Sequence, residues 1–582
     1  MLTFDFNKIN LMDNSGKMLD VGCGEGRHVF GLMQKFPNLH CTGLDLHDDS
    51  LKKSQEGYEF FKSISNAGAE FIKGSVYSLP FPDNSFDLVV CSEVLEHLHE
   101  YKDAIVEINR VLKPGGSFLA SVPTAWPEKI CWALSNEYQN QPGGHLRIFK
   151  QSNLVNEISE RGFDFVQSEK FHSIHSPYWW LRCLFWKNQE TNILVRIYKK
   201  FLETHILKKP LWIDLIDKSL NPIMGKSTAM YFTKKMNWVD LHSRLMPAKN
   251  WIVQNQFLDG SIPWDEKGKC DAWDHSECLI SLAIYKEWEA FDKGVDWFFS
   301  NLNSQGLIYS EFNNQQPTQL NYQSHHAPYI ALPLLQRYLI DKNPDHLNKY
   351  LPQLTTIFSS LLDFMDADGM YYWSKDDDGY SDNSLITASM SIAISVQAYT
   401  SIIEILDLVN KNSNYDSDLK SKSLKDLKTL LDKSFWSNSE IRWDRFDRDG
   451  VDRSRFSMDF FYQSLARVNL DKDFFKSNLK NFYEQDLGIK CVAEEPWVTI
   501  AETSECIIAT YLNYDKSLAI KMFEDILKFQ NPDGIFPTGY QYKLDILWPN
   551  EQSTWTNAAL IIAANVIFGS DDNIFTFLAS KS

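Results

Sequence analysis

The stretch Leu19-Asp20-Val21-Gly22-Cys23-Gly24-Glu25-Gly26 decides the fold of the first part of this 582-residue chain. It ends a short apolar run, Lys17–Val21, and precedes Arg27–Lys35, whose apolar residues recur at helical spacing. Glycines at such a turn let the backbone approach a nucleotide-like ligand closely at the start of a helix. A dinucleotide-binding G-x-G-x-x-G fingerprint would need glycine at Arg27, so this loop belongs to a different class.

Short β-like runs and amphipathic stretches alternate around this turn up to about residue 235. The alternation is typical of a parallel, doubly wound α/β sheet. A second helix is predicted over Lys102–Leu112, where the apolar residues again have helical spacing. The predicted strands, most of them bounded by Gly, Pro, Asp or Asn, are Lys17–Val21, His40–Leu44, Glu70–Lys73, Phe86–Cys91, Ser117–Val122, Phe165–Phe171 and Ser227–Thr233.

Four further segments follow the glycine loop in a fixed order. They are Leu44–Leu46, with an acidic residue at its centre, and then Gly74–Asp83, Cys91–His97 and Arg110–Gly116. The whole set resembles the class I S-adenosylmethionine-dependent methyltransferases, type 11-like, over almost all of residues 1–235. The resemblance implies a Rossmann-like domain with a seven-stranded sheet, S-adenosyl-L-methionine as the cofactor, and methyl transfer as the activity.

The resemblance also implies which residues bind the cofactor. Asp20 closes the first strand, and Asp45 closes the second, where a carboxylate can accept both ribose hydroxyls. The family usually has Asp where this chain has Ser75, which leaves the adenine contact to the backbone or to a hydroxyl. The predicted cofactor-binding residues are Asp20, Gly22, Cys23, Gly24, Gly26, Asp45, Leu46, Ser75, Val76, Ser92 and Glu93.

Candidate catalytic residues follow the fourth and fifth strands. An oxygen acceptor needs a base, and His97, beside Glu96, is one candidate; the alternative is a histidine that caps or packs a helix start. Tyr138 and His145 lie where methyltransferases commonly place acceptor-binding groups. Arg147, in the same segment, is suited to clamp a carboxylate or phosphate of the substrate; the alternative is a surface salt bridge.

About fifty residues separate the predicted sixth and seventh strands, where class I methyltransferases usually have a short hairpin. Ser176–Lys235 carries eleven Lys and Arg against four Asp and Glu, whereas the whole chain has a net charge of −18. Tryptophan and tyrosine side chains are interleaved with these cations across the insert 176–225. Such a segment suits an anionic membrane surface or a lipid headgroup. The alternative is a helical lid, and both alternatives make the insert a cover for the acceptor pocket.

From about Met236 the sequence changes to helices joined by loops rich in Asp, Trp, Tyr and Gly. Six predicted helix starts recur with a mean period of about 56 residues, as expected for helical hairpins with long loops; they are Trp273, Tyr322, Tyr380, Phe456, Trp497 and Trp555. The turns before them carry Asp259-Gly260, Gln305-Gly306, Asp368-Gly369, Asp449-Gly450, Leu487-Gly488 and Asp533-Gly534. We therefore predict an all-α second domain over 236–582 that closes into an (α/α)6 toroid.

Two segments, Gln254–Trp264 and Phe529–Pro537, resemble the Gln…Asp-Gly repeats of the terpenoid cyclase/protein prenyltransferase superfamily, and six-hairpin glycosidases are similar in layout. Asp376–Gly379 lacks the Thr of the cyclase acid motif, and no ligand set matches the prenyltransferase zinc site, so we predict no metal. The predicted mouth of the toroid gathers carboxylates and indoles: Asp271, Trp273, Asp274, His275, Glu277, Asp376, Asp382, Glu494, Glu495, Trp497, Glu502, Glu505, Glu551 and Trp555.

Carboxylates paired across a cavity can perform glycosidic acid/base chemistry, and Trp faces can stack on sugars or stabilise cations. The alternative is ordinary N-terminal capping by Asp or Ser at a helix start with an acidic residue three positions later, as in Asp274…Glu277 or Asp271…Asp274. The predicted substrate-binding residues are Arg147 in the first domain and Trp273, Asp274, Glu277, Glu494, Glu495, Trp497 and Glu502 in the second.

The leading hypothesis is a methyltransferase for a small molecule, including a lipid-linked or glycosylated one, whose toroid binds or further modifies the same metabolite. The alternatives make the toroid the principal enzyme, either glycoside hydrolase-like or isoprenoid-processing, or a non-catalytic binding module. The acidic charge disfavours nucleic acid as a partner, and no obligate protein partner is expected.

Nine scattered cysteines without a C-x-x-C pair predict a reduced, cytoplasmic chain. The sequence predicts no signal peptide or membrane span. Peripheral contact with the inner face of a membrane is the further expectation for residues 176–235.

Overall fold

The computed structural model describes residues 2–9, 15–62, 68–141, 143–208, 210–409, 417–437, 446 and 453–581. The chain forms two compact units, Met1–Asp240 and Leu241–Ser582. Their boundary lies five residues beyond the predicted boundary at 235/236.

The first unit contains a seven-stranded sheet with helices packed on both faces. Its strands are β1 (Ser15–Val21), β2 (Asn38–Asp45), β3 (Ala69–Lys73), β4 (Phe86–Ser92), β5 (Leu112–Pro123), β6 (Phe163–Phe171) and β7 (Ser227–Lys234). Its helices are α1 (Arg27–Lys35), α2 (Asp48–Phe61), α3 (Tyr101–Val111), α4 (Ala125–Leu134), α5 (Asn136–Gln139), α6 (Gln151–Ser159), α7 (His175–Leu184), α8 (Ile193–Lys208) and α9 (Leu211–Met224), and α10 (Trp238–Arg244) crosses the unit boundary.

The strand order is β3-β2-β1-β4-β5-β7-β6, with β7 antiparallel to both of its neighbours. The predicted seven-stranded Rossmann-like sheet is thereby confirmed, with one reversed strand in an otherwise parallel arrangement. The direction of winding changes between β1 and β4. Open α/β sheets bind their ligands at the carboxyl ends of strands at such a switch point, so the ends of β1 and β4 mark the expected crevice.

The sequence of strand β4, Phe86–Ser92, contains a run of consecutive apolar residues because both faces of the strand are buried. Leu88 and Val90 pack in the hydrophobic cluster on one face, whereas Val89 and Cys91 pack in the cluster on the other. Successive side chains of a strand point to opposite faces. A parallel strand covered by helices on both sides must therefore be apolar at every position.

The second unit is mostly helical, with short strands between the helices. Its helices are α11 (Met246–Asn255), α12 (Ala272–Ile284), α13 (Trp288–Ser300), α14 (Ala331–Asp341), α15 (Asp345–Ser360), α16 (Ile386–Val409), α17 (Ser417–Lys433), α18 (Ser457–Leu465), α19 (Lys472–Phe482), α20 (Ile500–Asn513), α21 (Lys516–Leu527), α22 (Thr554–Phe568) and α23 (Ile574–Lys581). Its strands are β8 (Lys269–Cys270), β9 (Glu311–Asn313), β10 (Gln316–Gln319), β11 (Tyr322–Gln323), β12 (Ser374–Asp376), β13 (Gly379–Tyr380), β14 (Tyr483–Glu484), β15 (Gly488–Lys490), β16 (Trp497–Thr499), β17 (Gly539–Gln541) and β18 (Ile546–Leu547).

Six helices of the second unit contact one another in cyclic order. Helix α12 packs against α14, α14 against α16, α16 against α18, α18 against α20, and α20 against α22. Helix α22 in turn packs against α12, so these contacts form a closed circuit. Helices α13, α15, α19 and α21 each pack against the circuit helix that precedes them.

Three of the six predicted helix starts, Trp273, Phe456 and Trp555, lie within one residue of the observed starts of α12, α18 and α22. The other three predicted starts are not in helices. Tyr322, Tyr380 and Trp497 lie in short strands, and the helices after them begin at Ala331, Ile386 and Ile500. Aromatic residues favour strands. Tyr380 and Trp497 lie in strands that pair with the strand just before them, whereas Tyr322 pairs with Lys375 of β12. The predicted turn glycines have a left-handed backbone at Gly260, Gly306, Gly369, Gly488 and Gly534, and Asp449-Gly450 lies outside the described residues.

Helix α16 is the one helix in the described part of the chain that is long and apolar enough to cross a membrane, judged by length and composition alone. It packs against α14, α15, α17 and α18, and 61% of its most apolar window is buried. A core helix of a globular unit has the same length and composition. The apolar run at 558–569, which the sequence singles out as too short for a span, lies within the buried helix α22 and the residue after it.

Candidate functional site

The glycine loop after β1 is shaped by backbone contacts that side chains would block. The amides of Gly22 and Cys23 donate to the Leu44 carbonyl at 2.8 and 3.0 Å. Gly22 has φ +72°, and a Cβ there would lie 2.5 Å from Val94 Cγ2. At Gly24, with φ +55°, no described heavy atom lies within 4 Å of the corresponding point. The loop therefore leaves an open concavity above its middle glycine.

Asp45 connects this loop to the end of β2. Its Oδ2 accepts the amide of Gly24 at 2.9 Å, and its Oδ1 accepts the amide of His47 at 2.9 Å. The side chain is almost fully buried. The two predicted acidic positions, Asp20 and Asp45, thus flank the open space at the ends of neighbouring strands.

Asp20 is buried without a hydrogen-bond partner. It is 1% exposed, and neither carboxylate oxygen accepts a hydrogen bond from any residue that the structure describes. Burial raises the pKa of Asp20 to about 7, although the Arg27 guanidinium acts in the opposite direction. Arg27 itself donates to the Ser92 hydroxyl at the end of β4, at 3.3 Å. A buried acceptor of this kind suits the cationic part of a ligand.

The other predicted cofactor residues border the same strand ends. Ser92 shares a hydrogen bond of 2.9 Å with Ser121, which also donates to Glu93. Glu93 has φ +56°, which is uncommon for a residue with a side chain. Among the remaining predicted cofactor residues, Cys23 and Val76 are buried, Ser75 is half-buried and Leu46 is exposed. Gly26 directly precedes α1 and has φ +80°.

A hydrogen-bonded cluster lies beyond β5, centred on Glu128 of α4. Glu128 Oε1 accepts from Tyr138 and from Nδ1 of His145, each at 2.8 Å, and Oε2 accepts from Lys226 at 2.5 Å. Although burial acts to raise the pKa of Glu128, the hydrogen bond from His145 and the charge of Lys226 hold it at about 2. Glu128 is therefore an ionised acceptor that fixes three neighbours.

Hydrogen bonds show which ring nitrogen acts as the donor in two predicted catalytic histidines, His97 and His145. An ionised carboxylate can only accept, so Nδ1 of His145 carries a hydrogen, and in the neutral ring Nε2 is the nitrogen with the lone pair. His97 donates in the same way through Nδ1 to the Gly144 carbonyl, at 3.1 Å. The two rings lie 4.9 Å apart. In the neutral form of each ring, Nε2 is therefore the nitrogen that can act as a base or a ligand.

The insert contributes aromatic side chains to this cluster. Trp179 of α7 and Trp186 lie 5.9 and 5.6 Å from the Tyr138 ring, and Trp180 donates to the Pro127 carbonyl. Arg147, in contrast, stacks on Tyr101 and donates to the His99 carbonyl, so its guanidinium has intramolecular partners.

The second unit contains a cavity of about 500 Å³, which is large enough for a small-molecule ligand. Of the predicted residues, Trp273 and Glu502 line it, together with Asp271. Burial raises the pKa of Glu502, and the Thr499 hydroxyl donates to its carboxylate. The charged, imidazole and indole residues of the lining that the sequence interpretation missed are Lys269, Glu311, His325, His326, Trp373 and Arg453.

Glu277 belongs to a buried network rather than to the cavity lining. It accepts from Tyr329 at 2.9 Å and from Trp555 at 2.8 Å, while Glu505 accepts from Tyr462 at 2.5 Å. These residues come from, or lie just before, five of the six circuit helices. Burial raises the pKa of Glu277 to about 7, and the network ties the helices together.

The other predicted residues of the second unit have local partners. Asp271 caps α12 by accepting the amides of Trp273 and Asp274, as the capping alternative expects. Burial and the neighbouring Asp271 raise the pKa of Asp274 well above its ordinary value. Glu494 pairs with Arg455, Glu495 is exposed, and the Trp497 indole donates to the Trp548 carbonyl. Asp376 lies in the β12–β13 hairpin.

Known proteins are similar to the part of this chain that contains the glycine loop. Residues 19–120 match the methyltransferase domain family. Sterol 24-C-methyltransferase ERG6A of Gibberella zeae is 33% identical over 166 residues, which cover 26% of this chain and 40% of that protein. The solved YcgJ protein of Bacillus subtilis is 22% identical, with 38% of this chain and 93% of that chain covered and a TM-score of 0.26.

The first unit contains a methyltransferase domain over residues 19–120. Its cofactor is S-adenosylmethionine. The geometry fits that cofactor, because the partnerless Asp20 carboxylate suits a cationic ammonium group and the open space above Gly24 suits a close ligand. The chain spans two fifths of the length of the sterol methyltransferase.

A different relative reaches into the second unit. The MMP endo-(1,4)-3-O-methyl-alpha-D-mannosidase of Mycolicibacterium hassiacum is 24% identical over 324 residues, which cover 54% of this chain and 84% of that protein. The matched segment makes up 54% of the 582 residues, which is more than the 240 residues of the first unit. The similarity therefore extends past Asp240.

The buried Asp20 gives the first testable prediction. Its pKa of about 7 in the fold, against an ordinary 3.8, means that ionisation destabilises the cofactor-free protein as pH rises from about 4 to about 7. Asp20→Asn removes this cost. We expect its stability advantage over wild type to grow by about 2–3 kcal/mol between pH 5 and pH 8, measured by denaturant unfolding, while its affinity for S-adenosylmethionine falls. An advantage that stays constant with pH would contradict the prediction.

Proposed function

We propose that the methyltransferase unit transfers a methyl group to a hydroxyl of a carbohydrate, and that the second unit acts on the same O-methylated glycan. The observation that carries the proposal is the hydrogen bond from Nδ1 of His145 to the ionised Glu128, which leaves Nε2 of the neutral ring as the nitrogen for a base. A relative whose name specifies a 3-O-methyl mannose glycan supports the choice of acceptor.

The residues at the ends of β1 and β2 would hold the cofactor. Asp20 would pair with its ammonium group, Asp45 with its ribose hydroxyls, and the glycine loop would lie against the nucleoside. S-adenosylmethionine supplies a methyl group on a sulfonium, which is already activated for displacement by an oxygen. The protein must therefore position the acceptor and remove its proton.

The Glu128 cluster supplies the proton acceptor. The carboxylate of Glu128 fixes the His145 ring and stabilises the imidazolium that forms when Nε2 takes the hydroxyl proton, as in other carboxylate–histidine pairs. Lys226 and Tyr138 satisfy the remaining lone pairs of the carboxylate. Trp179 and Trp186 flank Tyr138 and give the acceptor side an aromatic surface on which a sugar ring can pack.

Substitution of His145 tests this function. We expect His145→Ala to lower the rate of methyl transfer to a mannose-containing oligosaccharide by about 10²- to 10⁴-fold, the usual contribution of a general base. Affinity for S-adenosylmethionine, measured by calorimetry, should stay within a few-fold of wild type. His40→Ala, whose side chain is 53% exposed on β2, is the matched control. Unchanged transfer by His145→Ala would refute the assignment.

For the second unit we propose an α/α toroid that cleaves a glycosidic bond. The closed circuit of six helices supports the toroid. Five of these helices also pack against the helix that follows them in the chain. The cavity supports the activity, because it combines the carboxyl groups of Asp271 and Glu502 with two indoles. Acid/base hydrolysis needs such a carboxyl pair. The charged lining disfavours the isoprenoid alternative, which would need a dry apolar tunnel.

The predictions about membranes and localisation stay predictions. Helices α8 and α9 of the insert expose large apolar side chains: Ile193, Leu194, Ile197, Leu207, Leu211, Trp212, Leu215 and Ile223. Lys and Arg are interspersed among them in the sequence. We propose this face as the part of the insert that contacts a lipid surface, in a chain located in the cytoplasm.

A further inference from the structure

Three potential metal ligands converge beside the Glu128 cluster. One carboxylate oxygen of Glu96 and one ring nitrogen each from His97 and His145 all lie within 4.8 Å of one another. Nε2 of His97 is 3.9 Å from Oε1 of Glu96. Ligands of a bound ion are separated by about 3–3.5 Å when the metal–ligand bonds are about 2.1 Å. Small side-chain movements would therefore place the three donors around one ion.

Glu96 lacks the partner that a buried carboxylate needs. The residue is 0% exposed, and no other described residue donates a hydrogen bond to either of its oxygens. The carboxyl group of Glu93 lies nearby, and the ammonium of Lys226 is already bonded to Glu128. Buried carboxyl groups are normally paired or coordinate a metal, so a cation at this point would supply the partner that Glu96 lacks.

The two imidazoles are oriented as ligands usually are. The Gly144 carbonyl accepts from Nδ1 of His97, and the Glu128 carboxylate accepts from Nδ1 of His145. Histidines that bind metals generally donate their other ring nitrogen to a carbonyl or a carboxylate, which fixes the ring and its tautomer. The His97 side chain is 36% exposed, so a bound ion would keep an open side for a substrate.

We propose that Glu96, His97 and His145 bind one divalent cation, which holds the acceptor hydroxyl for methylation. A mixture of imidazole and carboxylate donors suits Mn²⁺, Fe²⁺ or Zn²⁺. The role of the ion rests on the proposed function, whereas its binding does not. With Nε2 of His145 bound to the ion, that nitrogen no longer serves as the base, so the ion replaces it by lowering the pKa of the hydroxyl. The proton then leaves to water at the exposed side of His97. The oxygen then forms the bond to the methyl carbon, the carbon–sulfur bond breaks, its electron pair stays on sulfur, and the ion keeps its oxidation state.

Titration of the full chain with Mn²⁺ after chelator treatment tests the site, with free Mn²⁺ measured by electron paramagnetic resonance. We expect wild type to bind one equivalent that Glu96→Gln and His145→Ala each weaken by at least tenfold. His99→Ala is the matched control, because His99 is exposed, close in sequence and outside the cluster, and it should bind as wild type does. Added Mn²⁺ should raise the melting temperature of wild type but not of Glu96→Gln.

Two results would overturn the proposal. One is binding of Mn²⁺ and Zn²⁺ by Glu96→Gln and His145→Ala with wild-type affinity and stoichiometry. The other is methyl transfer by metal-depleted wild type at the same rate as by the loaded protein, which would leave His145 as the base. A protein that binds the ion through Glu96 but methylates no carbohydrate would refute the proposed acceptor and leave the metal site intact.

Discussion

Asp45→Asn is expected to abolish useful binding of S-adenosylmethionine. The two carboxylate oxygens already orient the amides of Gly24 and His47, and in the bound state they would accept the ribose hydroxyls as well. Hydrogen bonds to a charged acceptor contribute about 1.5–3 kcal/mol each. Loss of the charge should cost about 2–4 kcal/mol, a roughly 30- to 700-fold rise in Kd, measured by isothermal titration calorimetry.

Asp49→Asn is the matched control for this measurement. Asp49 is an exposed carboxylate in the first turn of α2, four residues further along the chain, so its loss should leave the Kd within about twofold. Circular dichroism should show that both variants fold. An Asp45→Asn protein that binds the cofactor as tightly as Asp49→Asn would separate Asp45 from the binding site and remove the basis for the proposed cofactor geometry.

Glu502→Gln is expected to stop glycan cleavage by the second unit. Burial raises the pKa of Glu502, which favours its protonated form and suits it to donate a proton to a leaving oxygen. The amide has the same shape and no such proton, and loss of a general acid costs about 10²- to 10⁴-fold in rate. The assay measures reducing ends released from α-1,4-linked 3-O-methylmannose oligosaccharides, with methyl transfer followed in the same preparation.

Glu495→Gln is the control for hydrolysis. Glu495 belongs to the same predicted set but is exposed and is not among the cavity-lining residues, so cleavage should continue at the wild-type rate. Methyl transfer should be unchanged in both variants. If wild type binds the oligosaccharide but releases no reducing ends, the second unit is a binding module. Cleavage by Glu502→Gln at the wild-type rate would assign the acid to another residue.

The cofactor side of the first unit could be predicted because its information is local. The strand runs, the glycine spacing and the acidic residues near the ends of the first two strands are all readable along the chain. Each of the seven predicted strands lies within one of β1–β7. The backbone contact between Gly22 and Leu44 follows from two adjacent strands. Such features depend on sterics within a few residues, so the sequence specifies them.

The acceptor side was only partly predictable. His97, Tyr138 and His145 were candidates because of their place after the strands, but the sequence did not indicate that Glu128 and Lys226 join them. Glu128 and Lys226 are separated by 98 positions. The sequence also gave no sign that Glu96 is buried without a partner. These facts depend on packing between α4, the segment after α5 and the residue before β7.

In the second unit, the helical period was readable, but the lining of the cavity was not. Each hairpin repeats a similar pattern of turn glycine and aromatic residues, so Glu277, Glu494, Glu495 and Glu502 were indistinguishable on sequence. Of these four, the structure places Glu502 at the cavity, buries Glu277 in a network and leaves Glu494 and Glu495 at the surface.

The sequence by itself determined the sheet, the glycine loop, the two acids that close neighbouring strands and the repeat of about 56 residues. Each of these arises from short-range backbone and side-chain preferences. The tertiary structure alone decided which histidine nitrogens are available, which carboxylates are buried and which of them meet. Those properties come from contacts between residues tens to hundreds of positions apart, where burial and neighbouring charges set the chemistry.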